Sequence, residues 1–72
     1  MTIAAKIAEI GKNFPYTTYV IYTLNGNTGR IVDFTDNLTE ALSYITLGKK
    51  NGMACYVAEY NPKTNVICYD FN

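Results

Sequence analysis

The chain contains no histidine and no tryptophan, and only two of its 72 residues are cysteines. Histidine is the side chain whose ordinary pKa lies closest to neutrality, so its absence removes the commonest general acid or base and a frequent metal ligand. Cys55 and Cys68 are too few for a zinc site or for a disulfide-stapled scaffold. We therefore expect a non-enzymatic protein that carries no metal and no cofactor.

Charged side chains are scarce and balanced. Lysine and arginine number 6, aspartate and glutamate also number 6, and charged residues make up 17% of the chain, against about 25% in an average domain. Because phosphate neutralisation supplies most of the non-specific affinity for nucleic acid, a chain without a basic excess is unlike a nucleic-acid binder. Seven tyrosines instead favour contacts with protein, since each offers a rigid apolar ring with a polar tip.

Long hydrophobic runs are missing from the N-terminal segment, which Lys6 and Glu9 interrupt. This segment predicts neither a signal peptide nor a membrane span, and two thiols in a chain without a disulfide framework favour a reducing compartment. We expect one cytoplasmic domain over residues 1–72, with no membrane partner. A chain this short buries only about 60% of the surface that it exposes when unfolded. A protein partner or a second copy in a homodimer is the expected source of further stability.

The central segment, LTEALSYITLG, predicts the helix around which the chain is organised. Its apolar stripe repeats at i, i+3, i+4, i+7 and comprises Leu38, Ala41, Leu42 and Ile45. Asn37 or Asp36 can cap the helix start, and Gly48 can take a positive φ beyond the last turn. The apolar stripe must be buried, which requires a sheet for it to pack against.

The remaining pattern predicts a first helix over residues 2–10 and four strands. The strands are dense in β-branched and aromatic residues and cover 16–24, 30–34, 53–60 and 66–71. The turn-forming sequences NGNTG and NPKTN join them into two hairpins. The predicted order is therefore helix, hairpin, helix, hairpin.

This order describes an internal repeat of residues 1–35 in residues 38–72. The matches at a constant offset include Gly11-Lys12 with Gly48-Lys49, Tyr19-Val20 with Tyr56-Val57, and Asp33-Phe34 with Asp70-Phe71. One offset thus aligns a helix end, a strand start and a strand end without a gap. We interpret the pattern as a duplication or a pseudo-symmetric structure; coincidental similarity of two such segments is the open alternative.

Pairing Leu24 with Arg30 across the first hairpin divides the strand residues between two faces, of which the more apolar should meet the helices. The predicted fold class is α+β: a two-layer sandwich in αββαββ order, with a four-stranded antiparallel sheet and both helices on one face. In this arrangement Cys55 points towards the helices and Cys68 away from them. Side chains on opposite faces cannot form a disulfide.

The sheet face without helices is the predicted partner-binding site. Its residues are Tyr19, Ile21, Ile31, Asp33, Tyr56, Tyr60 and Asp70. Large exposed apolar faces mark interaction sites, so the leading function is a small protein–protein interaction module that uses this face or its strand edges. The composition also suggests a phage or mobile-element protein that acts as an inhibitor of a host protein.

Two alternatives remain open. Tyr19, Tyr22 and Tyr56 could stack the bases of single-stranded nucleic acid while basic side chains follow the phosphates, although the lysines belong to the helix layer. Asp33 and Asp70 could form a symmetric acid pair in a small metal-dependent enzyme, although each is also expected as the outward polar residue of its strand.

Overall fold

A computed structural model describes residues 2–26 and 28–69. Its elements are α1 Ile3–Gly11, β1 Thr18–Asn25, β2 Thr28–Thr35, α2 Leu38–Lys50, β3 Tyr56–Asn61 and β4 Val66–Cys68. The strands form one antiparallel sheet in the order β2-β1-β3-β4. The α+β class, the element order and the four-stranded antiparallel sheet are confirmed. Within the described residues, neither helix has the length and apolarity needed to cross a membrane.

The two helices pack on opposite faces of the sheet. Ile7 of α1 lies in one buried cluster with Val20 and Ala58, whereas Ala41 of α2 lies in another with Ile21. Successive strand residues point to opposite faces, so these clusters occupy the two sides of the same strands. The protein therefore has three layers, and the prediction of a two-layer sandwich with both helices on one face is wrong.

The physical reason lies in β1. Three consecutive residues, Val20, Ile21 and Tyr22, are buried. A strand with one open face alternates apolar and polar residues, whereas a strand covered on both faces has a continuous apolar run. The run in β1 is thus the sequence signal for two covering helices.

The halves of the chain share an α-β-β order but not one arrangement. β1 and β3 are antiparallel neighbours, and a twofold rotation that exchanges such neighbours runs normal to the sheet and keeps each face in place. It would put both helices on one face, yet Val20 packs on the α1 side and Val57 on the α2 side. The described parts of the two halves are therefore not related by a twofold rotation, and duplication at the level of sequence stays a prediction.

The first hairpin contains a β-bulge. Val20 pairs with Phe34 as expected, but the register shifts, and Leu24 pairs with Gly29 rather than with Arg30. Val32 is the extra residue on β2, which leaves it without a directly opposite partner. Because of this bulge, Ile31 lies on the α1 face and Asp33 on the α2 face, where a regular strand would have kept them together.

Helix α2 begins and ends with capping interactions. The Oδ1 atom of Asn37 accepts a hydrogen bond from the Glu40 N–H at 3.0 Å, so Asn37 is the N-cap. At the other end Gly52 has a φ of 72°. The Gly52 and Met53 N–H groups donate to Lys49 and Gly48 carbonyl oxygens, which is a Schellman ending. The helix thus continues two residues beyond the predicted end, and Gly48 lies within it.

The buried face of α2 is also shifted from the predicted stripe. Ala41 and Gly48 are buried, with Tyr44 and Ile45 packed beside them, whereas Leu42 is exposed. A Cβ built on Gly48 would be 2.6 Å from the Met53 carbonyl oxygen. Glycine therefore permits close packing here instead of ending the helix.

Both cysteines are free and lie on the α2 side of the sheet. Cys55 packs against the α2 cluster. Cys68 pairs with Glu59, which pairs in turn with Tyr19 on that same face. The prediction that the thiols occupy opposite faces is wrong. The two cysteines are instead too far apart to form a disulfide. Cys68 lies opposite Glu59, and Glu59 is four extended residues, or about 13 Å, from Cys55.

Candidate interaction surface

The structure does not bring the predicted binding residues together on one open face. Tyr19 and Ile21 pack on the α2 side, Ile31, Tyr56 and Tyr60 pack on the α1 side, Asp33 faces α2, and Asp70 lies outside the described residues. The exposed fraction is 0% for Ile21 and 3% for Tyr60. The premise of an uncovered tyrosine-bearing face is therefore wrong, because each face has its own helix.

Asp33 is held by the helix that covers it. The Tyr44 hydroxyl of α2 donates to Asp33 Oδ2, and the Phe34 N–H donates to Asp33 Oδ1 at 2.8 Å. These hydrogen bonds, that of Tyr44 foremost, lower the pKa of the Asp33 carboxyl, while the same pairing raises the pKa of Tyr44. Asp33 thus joins α2 to β2, which gives it a structural role in the folded chain.

The tyrosines of β1 and β3 serve both layers. The rings of Tyr22 and Tyr56 stack across the strands on the α1 side, with centroids 5.6 Å apart. Tyr19 lies on the α2 side, where burial and then the Glu59 carboxylate raise the pKa of its hydroxyl. The Tyr60 hydroxyl donates to Asn65 Oδ1 at 2.5 Å. The three tyrosines expected to stack bases therefore do not form one platform.

The open surface lies instead along the sheet edge formed by β2. Among the described residues this strand pairs only with β1, so backbone groups on its outer side can receive another strand. Two backbone groups of β2 already have side-chain partners: Lys6 Nζ donates to the Gly29 carbonyl oxygen at 2.7 Å, and the Phe34 N–H donates to Asp33 Oδ1. We define the β2 rim as Arg30, Val32 and Phe34 of β2 together with Phe14 and Tyr16 before β1. Val32 and Phe34 are 46% and 45% exposed, large fractions for apolar side chains within a strand.

Three aromatic rings of the β2 rim lie next to one another. The Phe14 ring lies 5.4 Å from that of Tyr16 and 5.5 Å from that of Phe34. Pro15 prevents the chain after α1 from continuing as a helix, and the resulting turn carries Phe14 and Tyr16 to the sheet edge. Such rings offer large apolar area at little cost in conformational entropy, which suits a protein-binding surface.

A groove of about 310 Å³ opens beside the bulge. Its lining comprises Thr23, Arg30, Ile31, Val32 and Met53. Within residues 2–26 and 28–69, the Arg30 guanidinium has no hydrogen-bond or ion-pair partner, and Met53 is 53% exposed. The groove thus combines exposed apolar side chains with one available cation at the edge of β2.

The sequence reasoning assigned Val32 and Phe34 to the helix-covered face and so missed the β2 rim. Phe34 does point to the α1 side, because it pairs with Val20, but it extends past the layer that α1 covers. Only the strand order places β2 at an edge, because a charged residue within a strand, such as Arg30, does not distinguish it from the inner strand β3, which carries Glu59. Comparisons of the chain with protein-family models, with curated proteins and with solved structures give no match, so the assignment of this surface depends on geometry.

Proposed function

We propose that this protein is a non-enzymatic protein–protein interaction module that binds its partner through the β2 rim. One observation carries the proposal: the C-terminal half of the edge strand β2 exposes two apolar side chains, Val32 and Phe34, next to a cluster of aromatic rings. Main-chain hydrogen bonds from an added strand would supply affinity, and the flanking side chains would supply specificity.

The edge is also suited to a specific contact rather than to unlimited strand addition. Natural edge strands avoid aggregation by charges and bulges, and β2 carries both: Arg30 and Asp33 flank the bulged residue Val32. A partner must match this interruption in the ladder. We further propose, as a partner of this kind, a host protein that is inhibited by occupation of its surface.

Affinity capture from a lysate of the organism that encodes the chain tests the proposal. Phe34→Lys and Val32→Lys place a charge on the β2 rim, while Leu47→Lys makes the same change on α2, where Leu47 is 57% exposed. We expect the Leu47 variant to retain whatever the wild type captures and both rim variants to lose it. Circular dichroism verifies that all three fold. Equal capture by all variants would disprove the role of the rim.

A further inference from the structure

The sequence of β2 is complementary to itself when two copies run antiparallel. Aligned over their full length, two TGRIVDFT strands place Thr28 opposite Thr35, Gly29 opposite Phe34, Arg30 opposite Asp33 and Ile31 opposite Val32. Each charged residue thus meets its opposite, twice across the pair. Registers centred on Arg30 or on Asp33 would instead place like charges against each other, which is unfavourable across neighbouring strands.

The bulge makes this register stereochemically possible. A twofold axis normal to a sheet keeps each face in place, and directly opposite residues must point to the same face. Two regular strands can therefore oppose only residues an even number of positions apart. Arg30 and Asp33 are an odd number apart, yet they pair with Thr23 and Ile21 and so both point to the α2 side. The extra residue Val32 shifts the alternation of faces by one residue, so Arg30 and Asp33 point to the same face.

The same test holds for the two outer pairs. Gly29 and Phe34 pair with Leu24 and Val20 and share the α1 side, whereas Thr28 and Thr35 pair with Asn25 and Tyr19 and share the α2 side. In the aligned pair, each exposed Phe34 would lie beside Gly29 of the other copy, which Ile3 of α1 already covers on that side, so Phe34 would contact the Ile3 side chain.

We propose that the β2 rim binds a second copy of this chain, with β2 strands antiparallel about a twofold axis between Ile31 and Val32, to give a continuous eight-stranded sheet. This inference rests on the proposed function and names its partner. The Arg30 guanidinium lacks a partner in the described part of the chain, and Asp33 uses one acceptor position for Tyr44 and one for Phe34. A carboxylate offers about four such positions, so two remain for the guanidinium of the other copy.

Charge variants of the full chain test the pairing by light scattering and native mass spectrometry. We expect the wild type to form a dimer that dissociates on dilution, because interfaces formed by one strand edge belong to the smaller size classes. Arg30→Glu replaces two attractive contacts with two repulsive ones and should raise the dissociation constant about tenfold or more. Lys63→Glu, an equal change of charge in the exposed turn after β3, should leave the dimer intact.

Mixing two charge variants provides the decisive test of the pairing. Asp33→Lys should also be monomeric, but together with Arg30→Glu it restores opposite charges at both contacts, and the two variants should form a heterodimer that native mass spectrometry resolves. If Asp33→Lys does not fold by circular dichroism, the Arg30 and Lys63 variants still decide. A wild type that stays monomeric at high concentration, or a dimer that Arg30→Glu leaves unchanged, would overturn the self-pairing. Rim-dependent capture of another protein would then preserve the proposed function.

Discussion

Gly11 of α1 lies so close to the ring of Tyr60 on β3 that a Cβ built on it would be 2.2 Å from Tyr60 Cδ2. The ring is buried, and its hydroxyl is tied to Asn65, so it has little freedom to move away. Gly11 is the last residue of the helix and fixes the distance at which α1 crosses the sheet.

We predict that Gly11→Ala destabilises the protein. At an open helical position alanine is favoured over glycine by up to about 1 kcal/mol, but here overpacking against Tyr60 should lower the free energy of unfolding by about 1–3 kcal/mol. Urea denaturation measures the change. Thr46→Ala, at an exposed position of α2, is the control and should be neutral or slightly stabilising. A Gly11 variant as stable as the wild type would contradict this close contact.

Gly29 should behave similarly, through a different neighbour. A Cβ at Gly29 would be 2.7 Å from Ile3 Cδ1, so Gly29→Ala should be destabilising. Because Ile3→Ala removes Cδ1 and Cγ1 and leaves only the Ile3 Cβ close by, at 2.8 Å, the double variant should lose less than the sum of the single losses, with a coupling of about 0.5–3 kcal/mol. Additive losses in the double-mutant cycle would show that the two residues are independent.

The hydrogen bond from Tyr44 to Asp33 predicts a pH dependence. It lowers the pKa of Asp33 in the folded protein relative to the unfolded chain. The stability that this shift contributes is present above the unfolded pKa, near 4, and is lost as the pH falls through the folded value. Tyr44→Phe should raise the pKa of Asp33 and make stability less sensitive to acid in that range.

Carbon-detected NMR titration of the Asp33 carboxyl group measures this change directly. Tyr16→Phe removes a hydroxyl from an exposed ring and should leave the Asp33 titration unaltered. An unchanged pKa in the Tyr44 variant would show that the hydroxyl does not determine the ionisation of Asp33.

The turn before β4 depends on Asn65, whose φ is 57° and whose side chain accepts the Tyr60 hydroxyl. Asn65→Gly loses the hydrogen bond but still accommodates the positive φ. Asn65→Ala also loses the hydrogen bond, and its Cβ disfavours the positive φ. We therefore expect the free energy of unfolding of the alanine variant to be about 1 kcal/mol below that of the glycine variant, as measured by thermal or urea unfolding. Thr64→Ala, which changes an exposed neighbour, should have little effect. Equal stability of the alanine and glycine variants would contradict the prediction.

Local chemistry made much of this fold predictable. Asn37 precedes an apolar stripe and caps α2 as expected, and the turn sequences between the strands correctly separate two hairpins. The start of β2 differs from the prediction at Gly29, which belongs to the strand rather than to a loop, because this glycine packs under Ile3 and does not form the turn. Local propensity does not distinguish these two uses of glycine.

The proposed binding surface was less predictable, since it depends on the long-range arrangement of the strands and helices. One inserted residue, Val32, reverses the faces of half a strand, and an assumed regular ladder then assigns Ile31 to the wrong side. The position of α2 on the second face converts Ile21 from a predicted contact residue into core. The sequence also predicts binding through strand edges, but only the sheet order identifies β2 as an edge strand.

Strand β1 has a neighbour in every direction: β2 and β3 beside it, and the clusters of α1 and α2 above and below. The amide protons that bond it to these strands can exchange with deuterium only when the whole molecule opens, whereas amides at the outer strands exchange through local fraying. The exchange rates of the Val20 and Ile21 amides should therefore report the free energy of global unfolding. A single set of exchange spectra can rank every variant described above under native conditions, without denaturant.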